Sequence, residues 1–532
     1  MLTILDLWLQ KGDNAETSDS YSDFFIMTHH IRTRFAPSPT GFLHVGGLRT
    51  ALYSYLFAKN QGGDFVLRIE DTDQKRLVSG ATEGLVSVLE TVGLFCDEGF
   101  RLHEGICEQH GNHGPYIQSE RLPLYQRYAN ELVDREMAYH CFCSAERLTE
   151  MREIQIAAKR APRYDRHCLS LTPSEVEAKK AAGEVSVIRF RIPDDRDIEF
   201  TDLIRGTVKF HTRDMDDQVI IKSDGFPTYH LAVVVDDHLM EITHVIRGEE
   251  WLPSTPKHIL IYEAFGWQPT AFGHLPLLLN PDKSKLSKRQ GDVAVEDYLG
   301  KGYLKEALIN FVALLGWNPG KGETQEIFTL AELREKFNLA NVNKAGAVFD
   351  IKKLDWMNAE YIKRMDIDSL FVRLKTGNFL EKELIWQAPD FMQTDIFLKR
   401  VLTIEQDRLA KLSEFGEQNP FFFTESIEYD IDLLRWKENT RALTREALEK
   451  ARTILGALDE PTWGIHAELE RVLLEAAGDK RGDFLWPLRV ALSGAQRSPS
   501  PFDCAWVLGK DATLQRIDAA IRKCAISPDA SS

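Results

Sequence analysis

The spacing of apolar residues along the chain changes several times, and the changes divide it. Thr33 to Ala36 is a short run suited to a buried strand, and after a Pro- and Gly-rich stretch Leu48, Ala51, Leu52, Tyr55 and Leu56 recur at the spacing of one helical face. Phe65 to Ile69 follows as a second apolar strand, with Glu70, Asp71 and Asp73 at its C-terminal end. Strand, helix and strand in that order predict a βαβ unit, whose ligands bind beyond the carboxyl ends of the strands. Over 116–225 the pattern turns to short strands mixed with polar helices, as in "SAERLTEMREIQIAAKR" and "EVSVIRFRIP". It returns to strand and helix at "HLAVVVDDHLMEITHVIRGEEWL", so the first domain is expected to be split by an insertion. From about Thr329 onward one-faced helices dominate, for example "TREALEKARTILGAL" and "HAELERVLLEAAGD".

Length and charge narrow this picture. A chain of 532 residues exceeds one compact core and has room for a catalytic domain and a separate recognition module. With 43% hydrophobic and 27% charged residues and no long apolar run, it reads as a globular, cytoplasmic protein without a membrane span. The balance of 65 Lys and Arg against 81 Asp and Glu, a net of −16, repels nucleic acid in bulk, so any RNA contact must come from local patches. Seven scattered cysteines fit a reducing compartment better than a disulfide framework. Residues 1–30 combine "MLTILDLWLQ" with an acidic polar stretch that matches neither a secretory nor a mitochondrial leader, and are expected to be an extension without regular structure.

Candidate chemistry begins in "RFAPSPTGFLHVGGLRTAL". Gly41, Gly46 and Gly47 allow close backbone approach, and a helix starting near Val45 would turn its unpaired amides and positive dipole end into the loop, as an anion site requires. A capped Pro-Gly turn accounts for the same residues, and the stretch is neither a P-loop nor GxGxxG. A distant basic loop, "KSKLSKRQGD", changes the balance. Basic runs are usually solvated surface, but the two patterns in one chain are rarely coincidental.

Together they resemble the class I aminoacyl-tRNA synthetases. Their HIGH-like motif is seen as His44-Val45-Gly46-Gly47 and their KMSKS-like motif as Lys285-Leu286-Ser287-Lys288-Arg289. "LRIEDTD", "YIQSERLPLYQ", "FPTYHLAVVVDDHLMEITHVIRGEEWLPSTPKH" and "AGAVFDIKKLDWMN" extend the resemblance to the bacterial or organellar glutamyl-tRNA synthetases, over nearly the whole chain. The resemblance implies an α/β Rossmann-like catalytic domain, 31–115 and 226–282, split by an α+β insertion at 116–225 that binds the acceptor end. It also implies a KMSKS and stem-contact domain at 283–365 and an all-α anticodon-binding domain at 366–532.

The activity so implied is ATP-dependent ligation of L-glutamate to tRNA(Glu) through a glutamyl-adenylate, with Mg²⁺ accompanying ATP, by a monomer. His44 and Lys288 take the catalytic positions. Gly46, Gly47, Glu250, Lys285, Ser287, Lys288 and Arg289 take the ATP positions, and Arg34, Ala36, Ser38, Glu70, Tyr229 and Arg247 the glutamate positions. The division makes sense physically, because each carboxylate needs a cation and the ammonium group an anion. Arg can grip a carboxylate through two parallel hydrogen bonds. Val233 stands where many members have Asn, so a polar contact is missing there.

Some relatives hold zinc with a CxC pair, a third Cys and a His or Tyr. Cys141, Cys143 and Cys168 match the sulfur positions, but Leu169 and Ser170 follow Cys168 where the zinc form has His, which leaves Tyr164 or His167 as the fourth ligand. Free, partly buried thiols are the expectation, with zinc the alternative. The alternative functions are a glutaminyl-tRNA synthetase, a shortened paralogue that modifies a tRNA base, and a catalytically inactive tRNA-binding paralogue.

Overall fold

The computed structural model describes residues 30–286 and 294–526. The expected N-terminal extension lies, His30 apart, outside the described residues, as do Ser287, Lys288 and Arg289.

The βαβ unit read from the sequence is present: β1 (Arg32–Phe35), α1 (Val45–Asn60) and β2 (Asp64–Leu67), with β1 and β2 parallel. Leu48, Ala51, Leu52, Tyr55 and Leu56 of α1 are all buried, as their spacing requires. The next strands of the same sheet, much further along the chain, are an antiparallel pair, β3 (Asp197–Asp202) and β4 (Gly206–His211). Then come α2 (Tyr229–Leu239), β5 (His244–Gly248), α3 (Thr255–Phe265) and β6 (Ala271–Leu275). The sheet order is β2–β1–β5–β6–β3–β4, parallel throughout except for the final pair. Strand order reverses direction between β1 and β5, which makes their carboxyl ends the topological switch point where open α/β sheets bind ligands.

The stretch expected as an insertion, 116–225, contributes β3 and β4 to this sheet through the register Phe272↔Asp202. The remainder of that stretch forms its own three-stranded sheet, Ala138–Cys141, Val187–Phe190 and Val219–Ile221. A two-stranded hairpin of alternating residues gives no sign in its own sequence of which sheet it will join.

The described residues divide into two compact units, one of those up to 295 with 312–349, the other of 296–311 with those from 350 to 526. The second is helical, and its core is built by helical spacing: Leu448, Ala451 and Leu455 on Arg441–Gly456, Leu469 and Leu473 on His466–Ala477, Leu488 and Ala491 on Arg481–Ser493. Among the described residues no helix is long and apolar enough to cross a membrane.

Candidate active site at the sheet's switch point

A cavity of about 620 Å³ opens at the carboxyl ends of β1, β2 and β5. Arg34, Ala36, Ser38, Gly46, Gly47, Glu70, Tyr229, Arg247 and Glu250, separated by up to 216 positions in the chain, all line it (250 − 34). Asp73, at the end of the second apolar strand, lines it too, as do Thr50, Thr72, Lys222 and Trp251, which nothing in the sequence had singled out.

His44 and Lys285 are not among the lining residues. His44 is the N-cap of α1, its Nδ1 accepting from the Gly46 amide at 2.9 Å. An accepting Nδ1 leaves the ring proton on Nε2. Lys285 follows a tight turn and is bridged antiparallel to Leu279, its carbonyl accepting from Asn280 Nδ2 at 3.4 Å. Val233 is buried in α2 and contributes nothing to the lining.

One wall is a buried charge network. Arg34 Nε donates to Asp237 (3.1 Å), and Arg68 donates to Asp237 (2.8 Å) and to Glu70 (3.0 Å). Burial raises the pKa of Asp237, yet Arg34 and Arg68 outweigh it and hold the carboxyl below its ordinary value. At Glu70 burial wins over Arg68 and Arg34, and the pKa is raised. Glu70 is thus the carboxylate here whose charge is least compensated by protein, and an ammonium group beside it would restore the balance. Asp236, the neighbour of Asp237 on α2, accepts from Gln118 (2.9 Å), Arg121 (2.7 Å) and Tyr125 (2.8 Å) and ties that helix to a segment more than 100 positions earlier in the chain.

The other wall is Arg247, held by neutral groups. Its guanidinium contacts His274 Nε2 (3.1 Å), Tyr229 Oη (3.0 Å), His258 Nδ1 (3.3 Å) and Thr255 Oγ1 (2.9 Å). Among the described residues no carboxylate forms an ion pair with it. A buried, fully oriented cation of this kind calls for an anionic ligand.

Of Arg68, Asp237, His258 and His274, only the first two leave a faint signal in the sequence. Arg68 and Glu70 alternate with Leu67 and Ile69, and two adjacent aspartates close an otherwise apolar helix, "LAVVVDD".

Within 116–225, Cys141, Cys143 and Cys168 place their sulfurs within 4.8 Å of one another. Tyr164 Oη stands 3.3 Å from Cys141 and from Cys143, and Cys143 and Cys168 are 3.6 Å apart. His167 is an exposed neighbour whose ring has no recorded contact with the sulfurs. Burial opposes ionisation of Cys141, but contacts with Tyr164 and Arg189 hold its pKa below the ordinary thiol value.

Comparison with known families agrees with this geometry. The family described as tRNA synthetases class I (E and Q), catalytic domain, matches residues 30–356, and an anticodon binding domain matches 379–521. The glutamate–tRNA ligase of Chloroherpeton thalassium is 48% identical over 504 residues, 93% of this chain and 98% of that protein. That of Pelodictyon phaeoclathratiforme is 48% identical over 503 residues, 92% and 98% of the two chains. The solved glutamate tRNA ligase from Elizabethkingia meningosepticum, in complex with its amino acid, is 36% identical with a TM-score of 0.81, covering 93% of this chain and 99% of that one. Similarity this long and this even leaves one family, and the chain belongs to the glutamate–tRNA ligases of the class I synthetases.

Proposed function

We propose that this chain activates L-glutamate with ATP and transfers it to tRNA(Glu). A glutamate α-carboxylate oxygen attacks the α-phosphorus, the bond to the β-phosphate oxygen breaks, and pyrophosphate leaves. A hydroxyl of the terminal adenosine then attacks the glutamyl carbonyl, AMP departs, and the hydroxyl proton passes to solvent or phosphate. The attacking carboxylate is already ionised, so the protein's work is positioning and charge stabilisation rather than base catalysis. Mg²⁺ bound to ATP would spread the phosphate charge.

Arg247 carries this reading: a buried guanidinium, oriented by uncharged partners, in the same cavity as the undercompensated Glu70. In the proposed assignment Arg34 and Arg247 hold carboxylate, Glu70 the ammonium group, and Tyr229, Ser38 and Ala36 the rest of the amino acid. Gly46, Gly47 and Glu250 face the nucleotide, with His44, Lys285, Ser287, Lys288 and Arg289 acting on its phosphates. The stretch Lys352–Arg364, on the helix Ile351–Arg364, is assigned to the tRNA stem and the C-terminal helices to the anticodon. Cytoplasm is the compartment assigned, because the seven thiols are unpaired, and a monomer the state.

Glutamate-dependent exchange of pyrophosphate into ATP, measured with and without tRNA, tests the reaction. Exchange supported by glutamate and stimulated by tRNA is the expected result, and a preference for glutamine overturns the substrate.

The gathered donors also favour zinc over the free thiols expected from sequence. Sulfurs sharing one tetrahedral zinc at about 2.3 Å stand roughly 3.8 Å apart, close to the spacing here. Cys141, Cys143, Cys168 and Tyr164 would hold it, and it would supply a cross-link within the insertion. Elemental analysis of purified protein should find about one zinc per chain, and a metal-free preparation with unchanged melting would return the cluster to free thiols.

A further inference from the structure

Arg247 Nε donates to His274 Nε2, so that nitrogen bears no proton and the ring proton sits on Nδ1, where Asp202 Oδ2 accepts it at 2.6 Å. Asp202 and His274 are wholly buried. Asp202 ends β3 and its Oδ1 accepts the amides of Ile204 (2.9 Å) and Arg205 (2.8 Å), while His274 lies on β6 in register with Arg247 on β5. Burial opposes the charge on Asp202, but the His274 contact and these amides keep its carboxyl below the ordinary value. Burial likewise lowers the pKa of His274. The unit is an ionised aspartate, a neutral imidazole and a guanidinium in series.

We propose that Asp202 and His274 are positioning residues that set the preference for a carboxylate side chain over a carboxamide. This rests on the glutamate reading of the cavity. An aspartate touching Arg247 directly would neutralise it, and a carboxamide would then bind nearly as well as a carboxylate. With His274 between them, Asp202 fixes the tautomer and the guanidinium plane from one imidazole's distance, and the charge of Arg247 is left for the ligand. A neighbouring carboxylate would orient the arginine equally well but would weaken the discrimination.

Asp202→Asn isolates the tautomer. The carboxamide keeps an oxygen for the Ile204 and Arg205 amides and turns its NH₂ toward His274, which moves the ring proton to Nε2 and sets N–H against N–H at Arg247. Losing a charged hydrogen bond there should raise the KM for glutamate about tenfold or more, with the KM for ATP within about twofold. The preference for glutamate over glutamine should shrink with it. In His274→Gln the amide NH₂ can donate to Asp202 while its oxygen accepts from Arg247. In Asp202→Asn/His274→Gln the same oxygen, with two lone pairs, can accept from both the new carboxamide NH₂ and Arg247 Nε, so the double variant should recover most of the glutamate affinity.

The inference fails if Asp202→Asn leaves the glutamate KM unchanged, raises both KM values equally, or is not rescued by the second substitution. Should Asp202→Asn alone not fold by circular dichroism, His274→Gln and the double variant are compared: matching glutamate KM values support the relay, and a further loss in the double variant overturns it. If the unaltered chain does not charge glutamate at all, the functional reading falls as well. Charging by the unaltered chain with no effect of Asp202→Asn removes this inference alone.

Discussion

Arg247 and Glu70 mark opposite needs in one cavity, and each defines a test. Replacing Arg247 by Gln removes the cation and leaves a bound carboxylate facing only neutral groups, a loss of roughly 3 kcal/mol, so the glutamate KM should rise about 100-fold with the ATP KM nearly unmoved. Steady-state charging at varied glutamate and ATP separates the two. These residues were legible in the sequence because they sit in blocks whose pattern already pointed to a site. The pairing of Arg68 with Asp237 was not, since two charged residues 169 positions apart give no sign of each other in the sequence.

The buried histidines set the pH behaviour at the same scale. Burial pulls His230 and His244 down to about 4 and His258 well below its ordinary value. An imidazole depressed by folding takes up its proton first in the unfolded chain, so its neutral form costs nothing above about pH 6.5 and stability is lost as pH falls toward 4. Thermal melting should therefore drop by several degrees between pH 7.5 and 5, and His244→Phe, which removes one such group, should flatten that slope.

At the scale of elements, α1 couples stability to the site through its cap. His44 Nδ1 satisfies the Gly46 amide, and loss of a side-chain cap costs about 1 kcal/mol. His44→Asn can still cap the helix and His44→Ala cannot. If His44 also acts on ATP, both variants should lose charging activity while only His44→Ala loses about 1 kcal/mol in urea unfolding. The two parallel strands were readable as short apolar runs because both of their faces are buried, and the helix by the spacing of its apolar residues. The placement of β3 was not: its single parallel partner position, Phe272↔Asp202, depends on residues 70 positions away. Asp202 was missed for the same reason, since an aspartate at the end of a polar hairpin looks like a turn residue until its partner strand is known.

For the whole molecule, two units with separate apolar cores should not melt as one. Calorimetry is expected to resolve more than one transition, with glutamate and ATP raising one and leaving the other in place; a single transition shifted entirely by ligand would contradict this. Residues 116–225 look in sequence like a cassette that could be traded between relatives. Asp202 and Lys222 belong to it, yet one supports Arg247 through His274 and the other lines the cavity. A graft cut at those boundaries would carry Asp202 into a foreign sheet and leave His274 behind, so the two must be inherited together, and the cassette is exchangeable only between proteins that agree at both.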